Sequence, residues 1–139
     1  ECAKAQNNPI YIDFTGHGCV NCREMEANVW SDPRVLEMLR DEYVIIALYV
    51  DDKTTLPEDE WMVNSKGKKK KTSIGSKNSA FQISKFEANA QPYYCLMGHN
   101  GEVLVEPRSY NLDKDAFVEF LKKGVENFNK GVSIRNIYE

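Results

Sequence analysis

Two cysteines three residues apart, Cys19 and Cys22, stand in the stretch Tyr11-Ile12-Asp13-Phe14-Thr15-Gly16-His17-Gly18-Cys19-Val20-Asn21-Cys22-Arg23-Glu24-Met25-Glu26. Thiols at that spacing can close and reopen a disulfide, and the attacking species in such exchange is a thiolate. Where the pair opens a helix, the unpaired N–H groups and the dipole of the helix N-terminus stabilise that charge. Cys19, at the expected helix start, is therefore read as the nucleophile. Cys22, about one turn further in, is read as the resolving thiol that attacks a mixed disulfide formed at Cys19. Two acids stand at useful offsets: Glu26, four residues past Cys22 on the same helix face, and Asp13, on the strand leading into the turn. Either carboxylate can accept or return the resolving thiol's proton, and each raises the thiol pKa values against the helix dipole. A protonated His17 would stabilise the Cys19 thiolate, but within Gly16-His17-Gly18 a solvated side chain is the simpler reading.

The chemistry needs elements that hold it. Ile10 to Phe14 reads as a short buried strand, and Met25, Val29 and Trp30 give the cysteine segment one apolar helical face. Ser31-Asp32-Pro33 restarts the helix, with Asp32 or Ser31 as N-cap and Pro33 in the first turn; Val35, Leu36 and Leu39 form its inward stripe. Tyr43 to Val50 is a near-continuous apolar run, which predicts a strand covered on both faces and parallel to the first. Ser79 to Ala88 predicts a helix with Phe81 and Phe86 inward. It is followed by Gln91-Pro92, a strand from Tyr93 to Met97, a Gly98-His99-Asn100-Gly101 turn and an antiparallel strand from Glu102 to Val105. Phe117, Phe120, Leu121, Val125 and Phe128 recur at helical spacing after Asp113, Gly131 ends that helix, and the rest to Glu139 is read as a tail. Glu1 to Asn8 is read as the end of a further helix.

Between Asp51 and Ser76 the periodicity lapses, which predicts a long loop insertion. Its lysine run, Lys66 to Lys71, reads as a solvated loop rather than a nucleic-acid or lipid patch. Glu58, Asp59 and Glu60 lie just upstream, and no aromatic residue interleaves the lysines. Trp61 and Met62 are expected to pin this loop to the body.

At 139 residues the chain is expected to form one unit over residues 1–139, large enough for a core without disulfide staples. A formal charge of −3 offers no general attraction to nucleic acid, and the longest apolar run, Tyr43 to Val50, falls well short of the ~20 residues a bilayer requires. The chain starts at Glu1 without an initiator methionine, which suggests an excised or processed part of a longer protein. Cys2 and Cys95 are read as a free helix thiol and a buried thiol, both without redox roles.

Other chemistries fit less well. Cys19 and Cys22 have zinc-ligand spacing, but His17, His99, Cys2 and Cys95 form no second pair, so no metal is expected. Arg23 occupies the place where haem attachment requires histidine. A non-catalytic peptide-binding adaptor, and an oxidant or isomerase running the same exchange the other way, stay open at this level.

The order strand, Cys-x-x-Cys helix, strand, helix, proline-led strand, hairpin and closing helix resembles the thioredoxin fold, an α/β architecture with a central mixed sheet flanked by helices. Asp13-Phe14 before the cysteines, Gln91-Pro92-Tyr93 at the place of that family's cis-proline, and Asn100-Gly101-Glu102-Val103 carry the likeness. Cys19-Val20-Asn21-Cys22-Arg23 with Trp30-Ser31-Asp32-Pro33 is similar to the C-terminal thioredoxin-like domain of the DsbD family of thiol:disulfide interchange proteins. That resemblance implies a protein-disulfide reductase with no cofactor beyond the Cys19–Cys22 disulfide. It would act in the periplasm as a monomeric soluble domain of an inner-membrane protein, and take electrons from a membrane-embedded donor domain to a periplasmic acceptor. It also implies that Asp13 and Glu26 flank the cysteines and that Pro92 faces them, with Gln91, Gly18 and His17 on the substrate-binding surface. The family usually has tryptophan where Gly18 stands.

Overall fold

The computed structural model describes residues 1–139. Helix α1 (Cys2–Gln6) ends at Asn7, whose left-handed φ of 55° turns the chain toward strand β1 (Ile10–Thr15). The cysteine helix α2 (Val20–Met25) passes into a π-helical turn, Glu26–Trp30, and helix α3 (Pro33–Asp41) follows. Asp32 caps α3, its Oδ1 accepting from the Arg34 N–H at 2.9 Å, with Pro33 opening the first turn. Strand β2 (Val44–Tyr49) then runs parallel to β1, in the register Ile10–Val44 to Thr15–Tyr49.

The remaining elements are a β3–β4 hairpin (Met62–Val63, Lys69–Lys70), helix α4 (Ile74–Phe86), β5 (Tyr93–Met97), β6 (Glu102–Val103), α5 (Lys114–Lys130) and β7 (Arg135–Asn136). The main sheet has the order β2-β1-β5-β6-β7, parallel only between β1 and β2. Asp113 caps α5 by accepting from the Ala116 N–H, and Gly131, at φ 68°, ends it.

Side chains alternate along the strands, so the two sheet faces build two cores. Tyr11, Tyr94 and Leu96 point to the face covered by α2, α3 and α5, where Met25, Val29, Val35, Phe117 and Leu121 are all buried. Ile12, Phe14, Cys95, Met97 and Val103 point to the other face, against Phe86 of α4. Asp13, two residues after Tyr11, falls on the α2 face by the same alternation. The fold thus places a carboxyl group beneath the cysteine helix.

Four expectations are corrected. Strand β2 lies at the sheet edge and is not covered on both faces: Ile45 and Ile46 are 43% and 41% exposed. Leu36 faces solvent at 52% exposure, and the partly buried Met38 packs against the core in its stead. The stretch after Asp51 is an ordered insertion, with a 3-10 turn at Glu58–Glu60 and the β3–β4 hairpin, and α4 begins at Ile74 rather than Ser79. The C-terminal tail supplies β7, which pairs with β6 through Glu102–Asn136 and Val103–Arg135.

Candidate functional site

Cys19 is the N-cap of α2. Its backbone is extended (φ −87°, ψ 105°), and its Sγ accepts a hydrogen bond from the Cys22 N–H at 3.2 Å. It thereby satisfies one of the orphan donors that every helix start leaves. Cys19 and Cys22 form a disulfide with their Cα atoms 5.2 Å apart. Cys22 is 1% exposed, whereas Cys19 is half-buried and reachable from solvent. The other two thiols, Cys2 and Cys95, are free; Cys95 is buried, which pushes its pKa above the ordinary thiol range.

Beneath the helix, Asp13 is 5% exposed and its Oδ1 has no hydrogen-bond partner. Burial raises its pKa to about 7, with a further increase from the Glu26 charge and an opposing pull from Arg23. Glu26 does not share that burial. Its Oε2 pairs with Arg23 Nη2 at 3.0 Å, and both side chains are well exposed. The same Arg23 nitrogen donates to Thr15 Oγ1 and to the Gly16 carbonyl, each at 3.2 Å. Arg23 therefore ties the end of β1 to α2 and sits between the two acids electrically.

The loop between β1 and Cys19 is held from outside. Asp51, just past β2, accepts from two successive backbone N–H groups: His17 to Oδ1 and Gly18 to Oδ2, both at 3.0 Å. These bonds, the one from Gly18 first, hold the Asp51 carboxyl below its usual range. The His17 ring stacks on Tyr49 with centroids 4.0 Å apart and planes 12° from parallel. His17 is exposed but packed on a defined partner, and Gly18 is exposed and held by its backbone. Sequence reasoning missed Asp51, Arg23 and Tyr49. An Asp directly after a strand in a parallel pair was the available signal, because that strand end must lie beside the end of β1.

The Gln91–Pro92 peptide bond is cis. Pairing of Phe14 with Tyr93 puts Pro92 one step further on, at the sheet end where β1 enters the cysteine loop. Pro92 is buried. The Gln91 side chain donates to Gln82 Oε1 at 2.9 Å, and Gln82 in turn donates to the Ala90 carbonyl, so Gln91 is committed to bracing this bend. The structure thus gathers Cys19, Cys22, Asp13, Glu26, Pro92, Gly18 and His17 at one end of the sheet, with the Gln91 side chain turned to internal bonding.

Residues 1–124 match the family model of the thioredoxin-like domain. The chain belongs to the thioredoxin-like family. Solved structures agree on the thioredoxin fold. A DsbH oxidoreductase superposes with TM-score 0.64 at 16% identity, over 90% of this chain and 77% of that one. A thioredoxin from Thermus thermophilus does so with TM-score 0.60 at 17% identity, over 87% and 76%. Among curated sequences, the thiol:disulfide interchange protein DsbD of Salmonella choleraesuis (strain SC-B67) is 42% identical over 45 residues, and that of Salmonella typhi 40% over the same length. Each match covers 32% of this thioredoxin-like chain and 8% of the relative. The chain thus has a thioredoxin-like oxidoreductase fold bearing a Cys-x-x-Cys disulfide, and none of its helices is long and apolar enough to cross a membrane.

Proposed function

We propose that this protein is a protein-disulfide reductase that passes two electrons from the Cys19–Cys22 dithiol to a disulfide in a partner protein. The observation that carries the reading is the asymmetry of the pair: Cys19 accessible at a helix N-cap with an N–H on its sulfur, Cys22 buried behind it. The Cys19 thiolate attacks one sulfur of the partner disulfide, forming a mixed disulfide and releasing a partner thiolate. Cys22 then loses its proton and attacks Cys19 Sγ. This frees the second partner thiolate and leaves the Cys19–Cys22 disulfide. A dithiol donor must reduce that bond before the next cycle.

In this reading Asp13 takes the Cys22 proton. A carboxyl with a pKa of about 7 exists in both protonation states near neutrality, which suits a group that receives and returns a proton. Burial raises that value most, and Glu26 and Arg23 adjust it in opposite directions from the exposed side. Pro92, Gly18 and His17 form the surface the partner meets, and Gln91 supports it. By analogy with the DsbD relatives, the donor is a membrane-embedded domain, the acceptor a periplasmic protein, and the location the periplasm. No resident cofactor enters the cycle.

The test is the equilibrium of the Cys19–Cys22 pair in graded thiol/disulfide buffers, read by alkylation and mass spectrometry so that Cys2 and Cys95 are counted apart. A potential more negative than about −200 mV is expected for a reductant. A value near about −120 mV would reverse the direction of electron flow. Failure to form the disulfide would end the redox reading.

A further inference from the structure

The insertion between β2 and α4 is unused by the chemistry above, yet it is rooted beside it. Its stem pairs the Leu56 N–H with the Thr72 carbonyl at 2.9 Å and the Ile74 N–H with the Thr54 carbonyl at 2.8 Å. Three residues before Thr54 stands Asp51, whose carboxylate holds the loop leading to Cys19. The insertion is also stiffened from within. The Trp61 indole donates to the Leu56 carbonyl at 2.9 Å, and Asn64 Oδ1 accepts from the Lys66 and Lys68 N–H groups at the hairpin turn.

What this hairpin displays is charge. Between Trp61 and Ser73 there are five lysines and no acid, in a chain whose net charge is −3. All five, Lys66 and Lys68 to Lys71, are exposed and none makes an ion pair, so the hairpin gathers more than half of the chain's unpaired lysines within six residues. Val63, 61% exposed, adds an apolar spot among them. The acids of the neighbouring 3-10 turn do not cancel this: Glu60 is engaged by Lys77 at 3.4 Å, and none reaches the hairpin lysines.

We infer that the β3–β4 hairpin, carried on a stem that starts three residues past Asp51, is a docking surface for an acidic protein partner whose disulfide is presented to Cys19. The inference rests on the disulfide-exchange reading and names the chemistry of the partner it would serve. Unpaired cations on a rigid arm raise the local concentration of an anionic surface and speed encounter, an effect that salt screens within a Debye length of about 8 Å. A protein is favoured over nucleic acid because no aromatic face among the lysines offers bases a stack.

The test compares two synthetic peptides, each with one intramolecular disulfide, one flanked by four glutamates and the other by four glutamines. The pre-reduced protein should reduce the glutamate peptide in a single turnover with a second-order rate constant about tenfold higher at low ionic strength, within the range steering provides. That preference should vanish at ~0.5 M salt. Charge reversal of Lys68, Lys69, Lys70 and Lys71 to Glu should abolish or invert it while leaving the glutamine peptide and an uncharged small disulfide such as 2-hydroxyethyl disulfide unaffected. A K→Q set at the same positions should give the same loss with less perturbation. Equal rates on the two peptides, or a preference that survives reversal, would overturn the inference. If no disulfide is reduced at all, the reductase reading is what fails, and direct titration then judges the hairpin: equal affinity for the two peptides overturns it. Tighter binding of a short single-stranded oligonucleotide than of the glutamate peptide also overturns it.

Discussion

The backbone N–H of Cys22 donates to the Sγ of Cys19 at 3.2 Å, and that single bond makes the two sulfurs unequal. A thiolate at Cys19 inherits a ready donor, while Cys22, 1% exposed, has no access to solvent. Replacing Cys22 with serine should therefore trap a mixed disulfide with a protein substrate through Cys19, seen as a stable adduct by non-reducing mass spectrometry. Replacing Cys19 with serine should give no adduct. In the reduced wild type, Cys19 should alkylate well ahead of Cys2 and Cys95 at neutral pH.

Asp13 links pH to stability with an unusual sign for a carboxylate. Its folded pKa, about 7, lies above the ordinary 3.8, so the native state holds the proton more tightly than the unfolded chain. Its favourable contribution is complete below pH ~3.8 and disappears as pH rises through about 7. Asp13→Asn should then be more stable than wild type at pH 8, by on the order of 4 kcal/mol at most, and nearly equal at pH 3.5. Urea unfolding of the oxidised proteins at the two pH values measures this. The same variant should slow mixed-disulfide resolution at least about tenfold, as expected when a general base is lost.

Glu26→Gln breaks the 3.0 Å pair with Arg23 and deletes a charge that raises the Asp13 pKa. The Asp13 pKa should fall below about 7, measurable as a shifted carboxyl titration by NMR, and the thiol pKa values should fall with it. An unchanged Asp13 titration would remove Glu26 from the proton-handling set.

Asp51 reaches the site through the backbone rather than through substrate. Asp51→Ala leaves the His17 and Gly18 N–H groups without their acceptor and should lower kcat/KM several-fold on a protein disulfide. Asp51→Asn retains an acceptor oxygen and should recover part of the loss. Because the carboxyl is held below its usual range by those N–H groups, its contribution is present above pH ~3.8 and fades as the medium becomes more acidic. Equal activity in all three proteins would show that the loop holds its shape unaided.

Gly75 opens α4 against the turn that carries Asp51. A Cβ there would sit 2.6 Å from the Val50 carbonyl oxygen and 2.8 Å from the Asp52 nitrogen, both backbone atoms with little room to move. Gly75→Ala should cost about 1–3 kcal/mol by thermal or urea unfolding, as overpacked sites do, and should lower activity by displacing Asp51.

What local spacing encodes was legible in the chain. Cys19 and Cys22 at a helix start, the Asp32-Pro33 cap, the start of the last helix near Asp113, and the Phe117, Phe120, Leu121 stripe all follow from rules that act within four residues. The strand reading placed Asp13 on the approach to the cysteines, and the sheet then showed that it shares the face of Tyr11, under the cysteine helix. The lapse of periodicity after Asp51 marked the insertion, though not its hairpin, because strands of two residues are too short to show alternation.

Which distant groups meet depends on how the strands pair. Asp51 bonds Gly18 across 33 residues, and Tyr49 finds the His17 ring only because β2 runs in register beside β1. The apolar run of β2 gave no sign that it lies at an edge, since hydrophobicity reports the tendency to be buried and not whether a neighbour is there to bury it. The same holds for β7, whose Arg135 and Asn136 look like tail residues until β6 offers them an open edge. Chemistry written in i to i+3 spacing is local and travels with the sequence. The environment that tunes it depends on pairings whose free energy is shared across the whole sheet.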